Sequence, residues 1–304
     1  MKVKFKDFSF RILKITDYNE FKNLFYSCFK KKVSYEFFNW RYFSNKSSFC
    51  YGVFQSSKLI ANVGMISIKP SNKSNNMIYS RHSSMVLKKY RGLGIFSELL
   101  GKVRKKISKK TSLVFMWPNK SNYASFGINK KKTINRKYYL YKTCLSSKLS
   151  GNTKNYSMDK FTQYKKFIRN DNSLFLKNFN YYRKRYLSYQ RNEYFLNKFV
   201  YKDLSSFFIL KRNKDKSGVN HVILDHFGSK EIYAKHFSDL ITNFNKLIFL
   251  SKTKRNNSKY KMIDHINLKI GFIKKLNIKE KKIFLKNKEI FLGDTDIFIT
   301  IRSL

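Results

Sequence analysis

The chain has 304 residues, and its 65 Lys and Arg against 18 Asp and Glu give a formal charge of +47. Hydrophobic residues are 42% of it, with 30 Phe and 21 Tyr, enough for two cores of ordinary size. Such a field attracts anionic cofactors, nucleic acid or anionic membranes, yet no run of about 18 apolar residues offers a membrane span. No paired Cys/His zinc spacing or aromatic RNA-binding signature accompanies the charge. The segment from Met1 to Asp7 lacks the apolar block of a secretory signal, and Cys28, Cys50 and Cys144 are widely spaced and odd in number. They read as reduced thiols in a cytoplasmic protein, neither bridged nor metal-bound.

In chain order, Phe8 to Ile15 reads as a strand, and Asp17 to Lys30 as a helix with Phe21, Leu24, Phe25 and Cys28 on one side. Tyr35 to Phe43 is a short aromatic helix. Cys50 to Phe54 and Leu59 to Ile68 are strands joined by a polar hairpin connection, Gln55-Ser56-Ser57-Lys58. Tyr79 to Leu87 mixes apolar and polar residues as a half-buried strand does. It turns through Arg91-Gly92-Leu93-Gly94 into a helix whose Ile95, Leu99, Val103 and Ile107 recur every fourth residue. Ser112 to Trp117 is a continuous apolar run suited to a buried central strand. Pro118-Asn119 ends it, a helix follows near Ser121 to Ile128, and Tyr138 to Leu145 closes the first half as a strand.

Glycines between a strand and a helix let the backbone approach a ligand, and the helix start presents N–H groups without intrahelical partners. That geometry makes Arg91 to Phe96 a candidate cradle for a pyrophosphate. The residues here resemble the acyl-CoA-binding signature of the GNAT superfamily of N-acetyltransferases, Gln/Arg-x-x-Gly-x-Gly/Ala. Arg91-Gly92-Leu93-Gly94-Ile95-Phe96 matches it except in the last place, where Phe96 replaces a small residue. The order of elements over about the first 148 residues resembles the same fold, a mixed α/β sheet. The resemblance implies that backbone N–H groups of Arg91, Gly92, Leu93, Gly94, Ile95 and Phe96 hold the pyrophosphate. It also implies that Met85, Val86 and Leu87 meet the pantetheine arm through main-chain atoms, and that acetyl-CoA is the cosubstrate, with no metal.

The resemblance further implies a base on the strand before the signature and an acid, commonly Tyr, on the helix after the next strand. His82 has the intrinsic pKa range for a base, against a structural hydrogen-bonding role. Tyr123 lies in the region of the acid-bearing helix, without the family's spacing, and alternatively packs. Asn119 is a positional candidate toward the pantetheine, against a helix N-cap.

The second half echoes the first. Tyr181-Tyr182-Arg183-Lys184-Arg185-Tyr186 repeats the pattern of Phe37-Phe38-Asn39-Trp40-Arg41-Tyr42. Strands at 197–201, 205–210 and 219–225 are expected next, then a helix at 231–244, a strand at 247–250 and a helix at 261–270. Strands near 282–285 and 296–301 follow. No Arg-Gly-x-Gly loop succeeds Leu224-Asp225-His226-Phe227-Gly228, so this is a degenerate GNAT-like copy that completes the substrate cleft or packs as a partner. A Ser/Asn/Gly/Lys-rich linker at 146–160 divides 1–148 from 149–304. His221, His226, His236 and His265 lack metal-helix spacing, and the acidic turn Gly293-Asp294-Thr295-Asp296 has too few carboxylates for a calcium site.

The function expected is transfer of acetyl from acetyl-CoA to the primary amine of a small polar acceptor such as an amino sugar. The alternative is a non-catalytic, basic RNA- or nucleic-acid-associated protein on the same scaffold.

Overall fold

The computed structural model describes residues 7–69, 77–109, 111–117, 133–143, 154–168, 177–188, 193–215, 218–244, 246–252, 254 and 260–272. The chain divides into two compact units, residues 1–135 with 268–283 and residues 136–267 with 284–304.

The first unit runs β1 (Phe8–Ile12), α1 (Tyr18–Phe29), α2 (Tyr35–Tyr42), β2 (Phe49–Gln55), β3 (Lys58–Ile68), β4 (Met77–Val86), α3 (Ile95–Ile107) and β5 (Thr111–Met116). Helix α1 stops where Lys30 turns left-handed at φ 56° and its N–H closes on Tyr26 O. Ser34 caps α2 by accepting from the Phe37 N–H at 3.1 Å. Strands β1 to β4 are antiparallel neighbours, and β2 and β3 meet in a two-residue hairpin with Gln55 opposite Lys58. Helix α3 then carries the chain over so that β5 lies parallel to β4.

Both faces of this sheet are covered. Leu99, Val103 and Ile107 of α3 pack on Val53, Val63 and Val114. Phe21 and Leu24 of α1 and Phe38 and Tyr42 of α2 pack on Cys50, Leu59 and Met85. Each of these side chains is less than 6% exposed. At about 1.5–3 kcal/mol for a fully buried large side chain, these two layers fix where β4 sits.

The second unit repeats that order. It contains β6 (Thr133–Thr143), β7 (Lys154–Ser157), α4 (Phe179–Tyr182, continued as a wide turn to Leu187), β8 (Tyr194–Tyr201), β9 (Leu204–Asp215) and β10 (Gly218–Gly228). Then come α5 (Tyr233–Asn243), β11 (Leu247–Ser251) and β12 (Tyr260–Phe272). Strands β8, β9 and β10 form an antiparallel meander, and β11 returns parallel to β10 after α5. Three antiparallel strands, a helix and a parallel strand therefore occur twice in one chain, each time within a mixed α/β sheet. The segment expected as a linker contains β7, which pairs with β8.

One expected element is corrected. Residues 261–270 are strand, not helix, within β12. Ile266, Leu268 and Ile270 are buried at every second position, a period of two that the apolar content of the segment concealed. Its end, Lys269 to Phe272, belongs to the first unit and pairs there antiparallel with β5. The helix expected at 121–128, the strands expected near 282–285 and 296–301, and the acidic turn at 293–296 lie outside the described residues.

Candidate active site

Strand β4 is irregular where chemistry is expected. Its register with β3 runs from Ile78 opposite Ile68 to His82 opposite Gly64, then resumes with Met85 opposite Asn62. Ser83 and Ser84 therefore face the single residue Val63 in a bulge, and Ser83 takes φ 44°. On its other side β4 pairs with β5 only from Met77 to Arg81. Beyond Arg81 that edge has no strand partner among the described residues. The Leu87 N–H donates to Ile60 O at 2.9 Å, so strand alternation turns Met85 and Leu87 toward β3. Ser84 and Val86 turn their main-chain groups to the open edge. There the Val86 carbonyl accepts from Arg91 Nε at 3.0 Å and from the Cys28 thiol at 3.6 Å. Arg91 thus ties the glycine loop to the end of the strand, and burial pushes the Cys28 thiol up from its ordinary pKa.

The loop itself is open. After a single 3-10 turn at Lys88–Tyr90, Gly92 and Gly94 adopt φ 81° and 77°, left-handed values that only glycine takes without strain. A methyl group at Gly92 would meet nothing within 4 Å. The Gly94 carbonyl accepts the first bond of α3, from Glu98 N–H. The six N–H groups from Gly92 to Ser97 donate to no backbone carbonyl among the described residues. Arg91, Gly92, Leu93 and Gly94 are exposed. Ile95 is the buried first residue of α3, and Phe96 packs into the core on that face, with Arg81 stacked 5.7 Å over its ring. The bulky residue in the last signature position is therefore partly buried against the core. Burial lowers the Arg81 guanidinium to about 10.

The other sequence candidates are distributed as follows. Met85 is buried against α1 and α2, while Val86 and Leu87 are partly buried beside α3. His82 is half-buried on β4, one residue before the bulge. Asn119 and Tyr123 lie outside the described residues. Four residues in this region escaped the sequence reading as site residues. Tyr42 OH and Ser83 Oγ are 2.5 Å apart, Asn62 Nδ2 donates to Ser83 O at 3.1 Å, and Cys28 reaches Val86. Only the aromatic pattern around Tyr42 hinted at any of them.

The corresponding corner of the second unit is closed. Strand β10 also bulges, between Ile223 and Asp225, but the turn to α5 has none of the open glycine geometry. The Ser229 N–H bonds to Ser205 O, and a methyl group at Gly228 would sit 2.5 Å from that same oxygen. Buried side chains fill the region. Asp225 takes Lys177 Nζ at 2.8 Å and Tyr186 OH at 3.1 Å. The Ser206 hydroxyl sits 2.8 Å from both His226 Nε2 and His236 Nδ1, and His236 Nε2 lies 2.7 Å from Asn197 Oδ1. Because the Asn197 amide nitrogen donates to Asn155, its oxygen faces His236. Each bond then has one donor if His236 and His226 both carry their proton on Nε2 and Ser206 donates to His236 Nδ1. Burial holds both imidazoles neutral, His226 well below its ordinary pKa and His236 down to about 3. His221 packs on Phe195 and Phe244, and His265 is exposed beside Asp264. Among the described residues no three His, Cys, Asp or Glu side chains gather as a metal site, and no helix is long and apolar enough to cross a membrane.

Comparison with known proteins bears on this geometry. Residues 9–129 match the acetyltransferase (GNAT) domain family. No curated protein is significantly similar in sequence. Among solved structures, a GCN5-related N-acetyltransferase from Anabaena variabilis superposes with TM-score 0.63 at 10% identity, over 88% of this chain and 73% of that one. Eis1 from Mycobacterium abscessus gives 0.58 at 11% identity, over 88% and 73%. A GCN5-related N-acetyltransferase from Kribbella flavida gives 0.57 at 9%, over 88% and 72%. At such identities these structures share the fold alone. The domain match lies across β4, the glycine loop and α3, so residues 9–129 are similar to the acetyltransferase (GNAT) domain in the segment that carries this geometry.

Proposed function

We propose that the chain transfers an acyl group, acetyl in the first instance, from acyl-CoA to the primary amine of a small polar acceptor such as an amino sugar. The observation that carries this reading is the row of N–H groups from Gly92 to Ser97, open at the start of α3 and beside the partnerless edge of β4. A diphosphate fits the row. Each charge at a helix N-terminus gains about 0.3–1 kcal/mol, and the exposed Lys88, Lys89 and Arg91 add attraction. The edge at Ser84 and the Val86 N–H suits an extended, amide-bearing arm that adds alongside the strand, the Val86 carbonyl being held by Arg91 and Cys28. At the bulge, the Ser84 N–H turns outward where a carbonyl oxygen gains charge during attack, the role of an oxyanion donor.

Bound acyl-CoA supplies an already activated thioester. The protein is therefore asked mainly to hold an amine in line with it; well-placed reactants reach effective molarities of about 10⁵–10⁸ M. Someone must also take the ammonium proton, and His82, adjacent to the bulge, is assigned that role, with Tyr123 as the acid that returns a proton to the thiolate. Asn119 is assigned to the arm beside β5.

Thermal denaturation with acetyl-CoA, CoA, longer acyl-CoAs and a short RNA tests the reading. Acetyl-CoA at about 100 times its Kd stabilises by roughly 2.7 kcal/mol. Arg91→Glu abolishes that rise. A rise with RNA and none with any CoA species overturns the proposal in favour of the nucleic-acid alternative. Amine-dependent release of free CoA thiol, compared between amino sugars and aliphatic amines, then decides the acceptor class.

A further inference from the structure

The bulge at Ser83 is a strained feature with a built support. A serine at φ 44° is disfavoured, and such a conformation persists only where its surroundings over-determine it. Two buried side chains do so. Tyr42, 1% exposed, meets the Ser83 hydroxyl at 2.5 Å from α2, and Asn62, 0% exposed, donates its amide to the Ser83 carbonyl from β3. Neither bond comes free. The Tyr42 ring occupies the space over Gly64, where a methyl group would lie 2.5 Å from the ring, so β3 carries a glycine at that point. Asn62 leaves its Oδ1 buried with no hydrogen-bond partner among the described residues.

The second unit makes the comparison. Its counterpart tyrosine, Tyr186, occupies the last place of the repeated aromatic pattern and also reaches a bulged strand, donating to Asp225. There the bulge carries a carboxylate neutralised by Lys177, and the neighbouring corner is closed. The tyrosine-to-bulge contact occurs in both units, whereas a left-handed serine joined to an open edge occurs in the first.

Resting on the acyl-CoA reading above, we infer that Tyr42 and Asn62 are positioning residues that clamp Ser83 in its left-handed conformation and so aim the Ser84 N–H at the thioester carbonyl. Neither touches the cosubstrate. Both act through the backbone, by removing the freedom of the bulge to relax into a regular ladder in which that N–H would point elsewhere.

The test separates the carbonyl from the rest of the ligand by measuring Kd for acetyl-CoA and for CoA, which lacks the thioester carbonyl, by calorimetry. Tyr42→Phe removes one hydroxyl from a buried ring and is expected to weaken acetyl-CoA three- to tenfold, about one net hydrogen bond, while CoA changes less than twofold. Asn62→Ala is expected to do the same if it folds. Adding Ser83→Gly to Tyr42→Phe restores the acetyl-CoA preference in part, because glycine takes positive φ without the clamp. Equal weakening of both ligands, or no change in either, overturns the inference while leaving the acyl-CoA reading intact. Failure of the unaltered protein to bind either ligand overturns both.

Discussion

Acidification tests the buried network of the second unit. His226 and His236 are 2% and 0% exposed and neutral in the fold, whereas in the unfolded chain each titrates near pH 6.5. Below that pH the unfolded state binds more protons, so stability falls as pH falls; the contribution of both rings is complete above about pH 7. With His236 held at about 3 in the fold, going from pH 7 to pH 5 costs about 2 kcal/mol for that ring, and His226, also held below its ordinary pKa by burial, acts in the same direction. The protonated state also disturbs the hydrogen-bond chain. With a proton on His236 Nδ1 the Ser206 oxygen accepts from both rings, and its hydrogen loses the acceptor it has in the neutral arrangement. The assay is urea denaturation followed by fluorescence at pH 7, 6 and 5, comparing the protein with His236→Gln, whose amide can still meet Ser206. The acid-dependent loss should drop by about 2 kcal/mol in the variant. An identical pH profile in both proteins would refute the argument that this ring is neutral and buried.

Gly94→Ala forces an L residue to φ 77° and is expected to cost about 1–2 kcal/mol, seen as a lower melting temperature, and to reduce the stabilisation by acetyl-CoA. Gly101→Ala has the opposite sign: the site is within α3, a methyl there meets nothing within 4 Å, and the gain is up to about 1 kcal/mol in a denaturant midpoint. Lys177→Met removes the ammonium beside the buried Asp225 carboxylate and is expected to cost about 3–5 kcal/mol by the same measurement.

The frame of the fold was legible because periodicity reports burial directly. The fourfold spacing of Ile95, Leu99, Val103 and Ile107 and the apolar run of β5 appear in the structure as the face of α3 and the central strand they pack around. The pyrophosphate loop was legible for a different reason: positive φ restricts the choice to glycine, so conformation leaves a mark on sequence at Gly92 and Gly94. The bulge left no such mark. Ser83 is held left-handed by partners 41 and 21 residues away, and no local pattern encodes a contact at that distance. Strand β12 failed in the opposite way, since its run of Ile, Leu and Met satisfied a helical reading until burial alternated by two.

The two units show what separates a scaffold from a site on it. Both carry a meander, a bulge, a helix and a parallel strand, and in both a tyrosine reaches the bulge. In the first, Gly92 and Gly94 take left-handed φ values, and the N–H groups from Gly92 to Ser97 donate to no backbone carbonyl among the described residues. In the second, the Ser229 N–H is used internally, Asp225 is neutralised by Lys177, and His236 and Ser206 occupy the interior with their own hydrogen bonds. Buried side-chain bonds and the Ser229–Ser205 bond fill the second corner, whereas the glycine loop of the first is left exposed. Acyl-CoA binding at the second corner would require breaking that network, with buried polar groups left unpaired at about 1–3 kcal/mol each. A protein carrying Arg91→Glu should consequently show no residual acyl-CoA affinity from its second half, and a stoichiometry of one ligand per chain in the unaltered protein is the measurement that checks it.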